Sequence, residues 1–169
     1  MSQPELPETA PEAVLAEEFD EGAPLVGILI GSESDRDAIE PALAELAARA
    51  ISYELRVLSA HRNPVGVAEY ASSAAVRGVR VIVAAAGMAA ALPGAVAAHT
   101  DLPVIGVPLT SSKSAAGGLD AILAIVQMPP GVPVACVSLN GARNAAILAA
   151  QILGQGGGYP ETPRPPAEA

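Results

Sequence analysis

The sequence predicts an α/β protein with a five-stranded parallel sheet, and two patterns lead to that prediction. Between residues 25 and 153, five short apolar runs alternate with longer segments of helical character. The runs are almost continuously apolar, which is typical of strands that are covered by helices on both faces. Ala, Val, Ile and Leu supply most of the 51% hydrophobic residues, whereas aromatic residues make up only 2%. Such small side chains suit close packing of helices on a sheet.

The strand–helix units follow one another in a regular order. The predicted strands are Leu25–Ile30, Tyr53–Leu58, Val79–Ala85, Pro103–Pro108 and Val132–Leu139. The helices that follow them are expected at about Asp35–Arg49, Pro64–Arg77, Ala89–His99, Gly118–Gln127 and Gly141–Leu153. Pro64 marks a helix start because the first turn does not use the N–H that proline lacks. Loops at the carboxyl ends of parallel strands form the ligand crevice, so these loops are the candidates for function.

The two ends of the chain differ in composition from this core. Residues 1–22 hold seven acidic residues and no basic one, and they predict a disordered acidic tail. Residues 154–169, rich in Gly and Pro, predict a second disordered tail. Residues 23–153, expected to form a single domain, hold nine acidic and eight basic residues. This near-neutral core lacks the basic surface that nucleic acid requires, and no apolar run is long enough to predict a membrane partner.

The inventory of reactive side chains limits the chemistry further. Cys136 is the only cysteine, so an intramolecular disulfide is impossible, and a reducing cytoplasm is the expected location. We expect Cys136 to be a buried small hydrophobe in the fifth strand. With two histidines, one cysteine and no carboxylate cluster, no metal site is predicted. His99, at the predicted end of the third helix, is expected to cap that helix or contact solvent.

The loop after the first strand reads Gly31-Ser32-Glu33-Ser34-Asp35. Hydroxyl groups and helix-start N–H groups suit a phosphate, and the Asp35 carboxylate suits ribose hydroxyls. The same residues would also make an ordinary helix N-cap, so both interpretations remain open. The loop is neither a P-loop nor a GxGxxG fingerprint, which leaves nucleoside triphosphate and dinucleotide sites without their motif.

The loop after the second strand, residues 59–64, reads Ser-Ala-His-Arg-Asn-Pro. Histidine is the side chain whose ordinary pKa lies nearest neutrality, which suits His61 to proton transfer. The guanidinium of Arg62 fits phosphate oxygens. A solvated loop without function is the alternative.

The remaining loops are less specific. Residues 85–94 contain no acid, base or nucleophile, and their small side chains would let the backbone approach a flat ligand or form a tight turn. Residues 109–118 are polar, with Ser111, Ser112, Lys113 and Ser114, and they suit either a lid or a plain surface loop.

Six ordered segments resemble one family, the 5-(carboxyamino)imidazole ribonucleotide mutases of purine biosynthesis. The resemblance covers residues 25–153 and rests on the motifs GSxSD (31–35), SAHR (59–62), AGxAAxLPG (86–94), LPVIGVP (102–108), QMPxGVPVA (127–135) and NAA (144–146). It implies a flavodoxin-like three-layer fold, a homo-octamer and catalysis without a cofactor or metal.

The resemblance also implies roles for individual residues. His61 would be the catalytic residue, moving a proton while a carboxylate migrates from the exocyclic nitrogen to C4 of the phosphoribosyl aminoimidazole through CO₂. The single domain, residues 23–153, would therefore be catalytic. The implied substrate-binding residues are Ser32, Ser34, Asp35, Ser59, Arg62, Gly87, Ala89 and Leu92.

The third loop departs from the family pattern. Met88 and Ala91 stand where the mutases usually have Gly and His. The related carboxylases, which use CO₂ directly, also lack that His, but their second loop usually ends in Lys where this chain has Arg62. Direct carboxylation of aminoimidazole ribonucleotide is therefore the alternative function, and a non-catalytic phosphosugar-binding protein is the second alternative.

Overall fold

The computed structural model describes residues 22–155; the tails predicted at 1–22 and 154–169 lie almost wholly outside this range. The strands are β1 (Val26–Ile30), β2 (Tyr53–Val57), β3 (Val81–Gly87), β4 (Val104–Leu109) and β5 (Ala135–Cys136). The helices are α1 (Arg36–Ala48), α2 (Pro64–Ala74), α3 (Ala91–Ala97), α4 (Leu119–Val126) and α5 (Ala142–Gln155). None of these helices is long and apolar enough to cross a bilayer.

All five strands are parallel, in the order β2-β1-β3-β4-β5. Helices α1 and α5 pack together on one face, while α2, α3 and α4 form a row on the other. The predicted α/β class, the three layers and the parallel sheet are thereby confirmed. This strand order is the flavodoxin-like one, in which the chain changes direction across the sheet between β1 and β3. The loops after β1 and β3 consequently flank a crevice.

Helices cover both faces of the sheet, and each face contributes to an apolar core. Successive side chains of a strand point to opposite faces. In β1, Ile28 and Ile30 belong to the core under α1 and α5, whereas Leu29 belongs to the core under α2, α3 and α4. All three are fully buried. The almost unbroken apolar runs of the sequence follow from this double coverage.

The fifth strand is much shorter than predicted. Of residues 132–139, only Ala135 and Cys136 pair with β4, and side chains along this stretch alternate between half-buried and exposed. An edge strand has a neighbour on one side only, and Pro133 cannot donate a ladder hydrogen bond. Cys136 is half-buried where full burial was expected, and this burial raises the pKa of its thiol.

A buried charged cluster attaches α2 to the sheet. Glu54 of β2 is 3% exposed. Its carboxylate accepts hydrogen bonds from the Tyr70 hydroxyl at 2.9 Å, from Arg77 at 3.1 Å and from Arg56 at 2.9 Å. Burial and the nearby Glu54 charge raise the pKa of Tyr70 well above its usual value, so the phenol stays a donor. The cluster satisfies a carboxylate that would otherwise be costly to bury.

Gly27 of β1 makes room for this cluster, because a Cβ there would overlap the hydroxyl of Tyr70. We expect Gly27→Ala to lower the free energy of unfolding by about 1–3 kcal/mol, as overpacked cores do. Adding Tyr70→Phe should recover part of that loss, since it removes the overlapping oxygen. Urea unfolding of the single and double variants measures the coupling between the two sites.

Gly154 offers a matched control in helix α5, where nothing lies within 4 Å of an added Cβ. Gly154→Ala should leave stability unchanged or raise it slightly, since alanine favours a helix. Equal effects of the two glycine substitutions would contradict the packing argument.

Candidate functional site

The loop after β1 forms a compact polar turn. Residues Glu33–Asp35 make one 3-10 turn, and Ser32 caps it, its hydroxyl oxygen accepting from the Ser34 N–H at 3.3 Å. The Ser34 hydroxyl in turn donates to the Ser32 hydroxyl oxygen at 2.9 Å. The predicted capping is thus present only in part: Ser32 caps the 3-10 turn, whereas Asp35, at the N-cap position of α1, makes no side-chain cap hydrogen bond. Ser32 and Asp35 are half-buried and Ser34 is exposed.

The loop after β2 begins by extending the sheet. The Leu58 N–H donates to the Ile30 carbonyl at 2.9 Å, which carries the β1–β2 pairing one residue beyond the strands. The Ser59 carbonyl accepts from the Asn63 N–H at 2.8 Å and closes a turn around His61. The Asn63 side chain then caps α2 by accepting from the Gly66 N–H at 2.9 Å. His61 is thus exposed at the tip of a turn fixed at both ends.

Arg62 joins the first two loops. Its guanidinium donates to the Gly31 carbonyl at 3.0 Å, and its own N–H donates to the Ser59 hydroxyl oxygen at 3.3 Å. Burial raises the pKa of Asp35, while hydrogen bonds with Ser32 and Ser34 and the positive charge of Arg62 oppose that rise. The hydrogen bonds of Arg62 therefore join residues 31–35 and 59–62 along one polar edge of the sheet.

The loop after β3 is apolar and conformationally strained. Met88 and Ala90 both have positive φ, 57° and 38°, in the left-handed region that L residues seldom adopt. Met88 is 48% exposed beside the crevice. Gly87 ends β3, and a Cβ at this residue would lie 2.9 Å from the Leu109 carbonyl oxygen. Strain of this kind concentrates at ligand sites.

The predicted binding residues of this third loop are placed unequally. Ala89 is exposed and Gly87 is half-buried at the strand end. The Leu92 side chain is 2% exposed and belongs to the core beneath α2, α3 and α4. The contact between Leu92 and a ligand stays a prediction. Because the side chain is buried, only the backbone of Leu92 can make this contact.

Asn140, which sequence reasoning did not single out, clamps the loop after β4. Its side-chain oxygen accepts from the Thr110 N–H at 3.0 Å, and its amide nitrogen donates to the Thr110 hydroxyl at 3.0 Å. Its backbone N–H donates to the Pro108 carbonyl at 2.8 Å. Asn140 has a φ of 55°, which the Asn140-Gly141 dipeptide in the sequence could have signalled.

Other features lie away from this edge. His99 is exposed just beyond α3, at the amino-terminal edge of the sheet. A groove of about 420 Å³ opens at the same edge, between residues 97–105 and 131–135, and contains none of the predicted site residues. Within residues 22–155, no three His, Cys, Asp or Glu side chains cluster in a way that could hold a metal ion.

Comparisons with known proteins agree on one family. The AIR carboxylase family model matches residues 25–158. The N5-carboxyaminoimidazole ribonucleotide mutase of Pyrococcus abyssi is 53% identical over 132 residues, covering 78% of this chain and 75% of that protein. Its namesake from Thermotoga maritima is 52% identical over 141 residues, covering 83% and 80%.

A relative with a different name is equally similar over a shorter share of its length. The phosphoribosylaminoimidazole carboxylase of Schizosaccharomyces pombe is 52% identical over 131 residues, which are 78% of this chain but 23% of that protein. Overall identity to relatives of either name is therefore similar.

Solved structures show the same architecture. A variant of PurE2 from Treponema denticola has a TM-score of 0.69 and 31% identity, covering 79% of this chain and 82% of the other. Treponema denticola PurE has a TM-score of 0.64 and 34% identity, covering 78% and 81%. The matched family model spans the whole sheet and all four polar or strained loops, and this chain belongs to the AIR carboxylase family.

Proposed function

We propose that this protein is an isomerase of purine biosynthesis. It converts 5-carboxyamino-1-(5-phosphoribosyl)imidazole into 5-amino-1-(5-phosphoribosyl)imidazole-4-carboxylate. The observation that supports this most directly is the hydrogen bond from Arg62 to the Gly31 carbonyl, since it joins the loop that carries His61 to the loop that carries Ser32, Ser34 and Asp35. The mutase names of relatives at 52–53% identity agree with it.

The first two loops supply complementary groups for a ribose phosphate. The hydroxyls of Ser32 and Ser59 can donate to phosphate oxygens, the Ser34 hydroxyl orients that of Ser32, and Arg62 adds a positive charge that is already oriented by Gly31. Asp35 can accept from ribose hydroxyls. The half-buried Gly87 and the exposed Ala89 have little side-chain bulk of their own and can present backbone groups to the imidazole ring.

His61 handles the proton in both halves of the proposed reaction. The bond between the exocyclic nitrogen and the carboxylate carbon breaks, CO₂ leaves, and the nitrogen takes a proton from His61. C4 then attacks CO₂, and the proton lost from C4 returns to the neutral side chain of His61. Carboxylate and proton thus exchange places, so the reaction needs no net acceptor. Holding CO₂ against the ring replaces a bimolecular encounter by an oriented one.

Direct carboxylation is the second candidate function, because Ala91 stands where the mutases usually have a histidine and the fission-yeast carboxylase is equally similar. Two assays separate the candidates. Product formed from the N-carboxylated substrate alone supports the mutase. Efficient turnover of aminoimidazole ribonucleotide at modest bicarbonate would contradict it. Ligand binding without turnover in either assay would indicate a non-catalytic phosphosugar-binding protein.

We also propose a homo-octamer that acts in the cytoplasm. Leu119, Leu123 and Val126 recur along one face of α4 and are 47–52% exposed, an apolar face that a neighbouring subunit would cover. The half-exposed stretch around β5 lies in contact with α4 and extends this surface. Sedimentation analysis gives the number of subunits, and Leu123→Glu should lower it. Cell fractionation tests the location.

We expect His61→Asn to lower kcat by about 10²–10⁴-fold while substrate binding persists, because asparagine keeps polarity but neither takes up nor releases a proton at neutral pH. Stopped assays for turnover and calorimetry for binding measure the two effects separately. His99→Asn is the matched control: the same substitution at an exposed position on the opposite edge should leave both unchanged. Near-normal turnover in His61→Asn would remove His61 from the mechanism.

The half-buried carboxylate of Asp35 should lower the thermal stability of the fold at neutral pH. Burial raises the pKa of Asp35 in the fold. Above that pKa the carboxylate is charged in both folded and unfolded chains, so the free-energy cost of burying the charge is fully present. Below the ordinary pKa of about 3.9 the carboxyl group is neutral in both states, and this cost vanishes. Asp35→Asn should therefore raise Tm at pH 7, and the gain should disappear on acidification through this window.

Thermal unfolding between pH 3 and pH 7 checks this expectation. Asp101→Asn removes the same charge from an exposed position and should show no such gain. A lower Tm for Asp35→Asn at pH 7 would show that its hydrogen bonds and Arg62 outweigh burial.

A further inference from the structure

Lys113 is the only lysine of the chain and lies in the loop after β4, residues 110–118. The side chain is exposed, and among residues 22–155 no carboxylate lies within ion-pair distance of its ammonium group. The proposed function gives Lys113 no role. A free ammonium at the functional edge of the sheet is available for an anionic ligand.

The loop that carries Lys113 is internally bonded. The Ser114 hydroxyl oxygen accepts from the Ser111 N–H at 3.0 Å, and the Ser114 N–H donates to the Ser111 carbonyl at 3.0 Å. The Lys113 N–H donates to the Ser111 hydroxyl oxygen at 3.2 Å. Lys113 therefore lies within a defined turn.

Both ends of the loop are attached to the body of the protein. Asn140 clamps Thr110 at the start through two side-chain hydrogen bonds. At the end, the Asp120 carboxylate accepts from the Ala115 N–H at 3.2 Å. Gly118 has a φ of 99°, and any Cβ there would meet Leu139 and Thr110 at 2.6 Å. These attachments hold the Lys113 turn at the carboxyl end of β4.

The strand order sets the separation between the strand that leads into this turn and the strand that leads into the phosphate-type groups. Strands β1 and β4 are separated by β3, which gives about 10 Å at a spacing of about 4.8 Å per strand. The loop between them, after β3, has no polar side chain from Gly87 to Leu92. A ligand bound through its phosphate at β1 and β2 and lying over β3 would present its far end to the β4 loop.

We propose that Lys113 binds the carboxylate of the imidazole ligand at this far end. This inference rests on the proposed function, because that function supplies a ligand with a phosphate at one end and a migrating carboxylate at the other. Lysine is a flexible point charge with three donors, which suits a group that moves between two ring positions. Lys113 then provides the polar contact that the third loop lacks in Ala91.

Two ligands that differ only in the carboxylate should respond differently to the loss of Lys113. In the wild type, 5-amino-1-(5-phosphoribosyl)imidazole-4-carboxylate contacts both Arg62 and Lys113. Aminoimidazole ribonucleotide, which lacks the carboxylate, contacts only Arg62 of these two cationic side chains. Loss of Lys113 should therefore weaken the first ligand selectively, whereas loss of Arg62 should weaken both.

Calorimetric titration of the full chain with each ligand tests this distinction. Lys113→Met should raise the Kd of the carboxylated ligand roughly 10- to 100-fold, as a charged hydrogen bond is lost, and change that of the decarboxylated ligand less than about twofold. Lys113→Arg should restore most of the difference. Arg80→Met, which removes an exposed charge at the amino end of β3, is the matched control and should affect neither.

Selective acylation provides a second readout. Because Lys113 is the only lysine, it is the only side-chain target of an amine-selective acetylating reagent, and the terminal amine serves as an internal reference. Mass spectrometry should find Lys113 protected by the carboxylated ligand and not by aminoimidazole ribonucleotide.

The outcomes are separable. Equal weakening of both ligands in Lys113→Met, or of neither, would overturn the role of Lys113. If Lys113→Met binds only the carboxylated ligand more weakly and the wild type turns over neither substrate, the role of Lys113 is supported and the proposed reaction is contradicted. A wild type that binds neither ligand would overturn both.

Discussion

The parallel pairing of β1 with β2 on one side and β3 on the other is the constraint on which the site depends. Ile30 is aligned with Val57 and with Ala85, so β1 and β2 end at the same level and β3 runs two residues further, to Gly87. The hydrogen bond from Leu58 to Ile30 prolongs the alignment to the threshold of the second loop. Because the strands are parallel, the loops that follow them all begin at the same edge of the sheet. A shift in this register would separate His61 from the first loop.

Rigid attachments surround the loops that carry the proposed chemistry. The cluster of Glu54, Tyr70 and Arg77 holds α2 on the sheet, and the Asn63 cap fixes where α2 begins. His61 itself remains exposed between these supports. Met88 and Ala90 keep strained backbone angles at the same edge. Such a division is expected when a stable scaffold maintains an active site that is not optimal for stability.

The charged side chains at this edge lie at its two ends, with the apolar third loop between them. Arg62 and Asp35 stand at the end of the crevice formed by β1 and β2, the third loop is apolar, and Lys113 stands beyond it on the β4 loop. The core as a whole is close to neutral, so this arrangement reflects local placement and not overall charge. A ligand with two unlike anionic ends would be aligned by it.

The sequence by itself determined the fold class, because double coverage of a parallel sheet leaves continuous apolar runs that periodicity alone reveals. It also determined which loops carry polar groups, since residue type at a strand end is readable without coordinates. Tertiary structure decided the rest. The short β5 follows from its edge position, the Asn140 clamp joins residues thirty positions apart, and Leu92 turns into the core. These outcomes depend on which segments become neighbours, and neighbours distant in the chain leave no local pattern in the sequence.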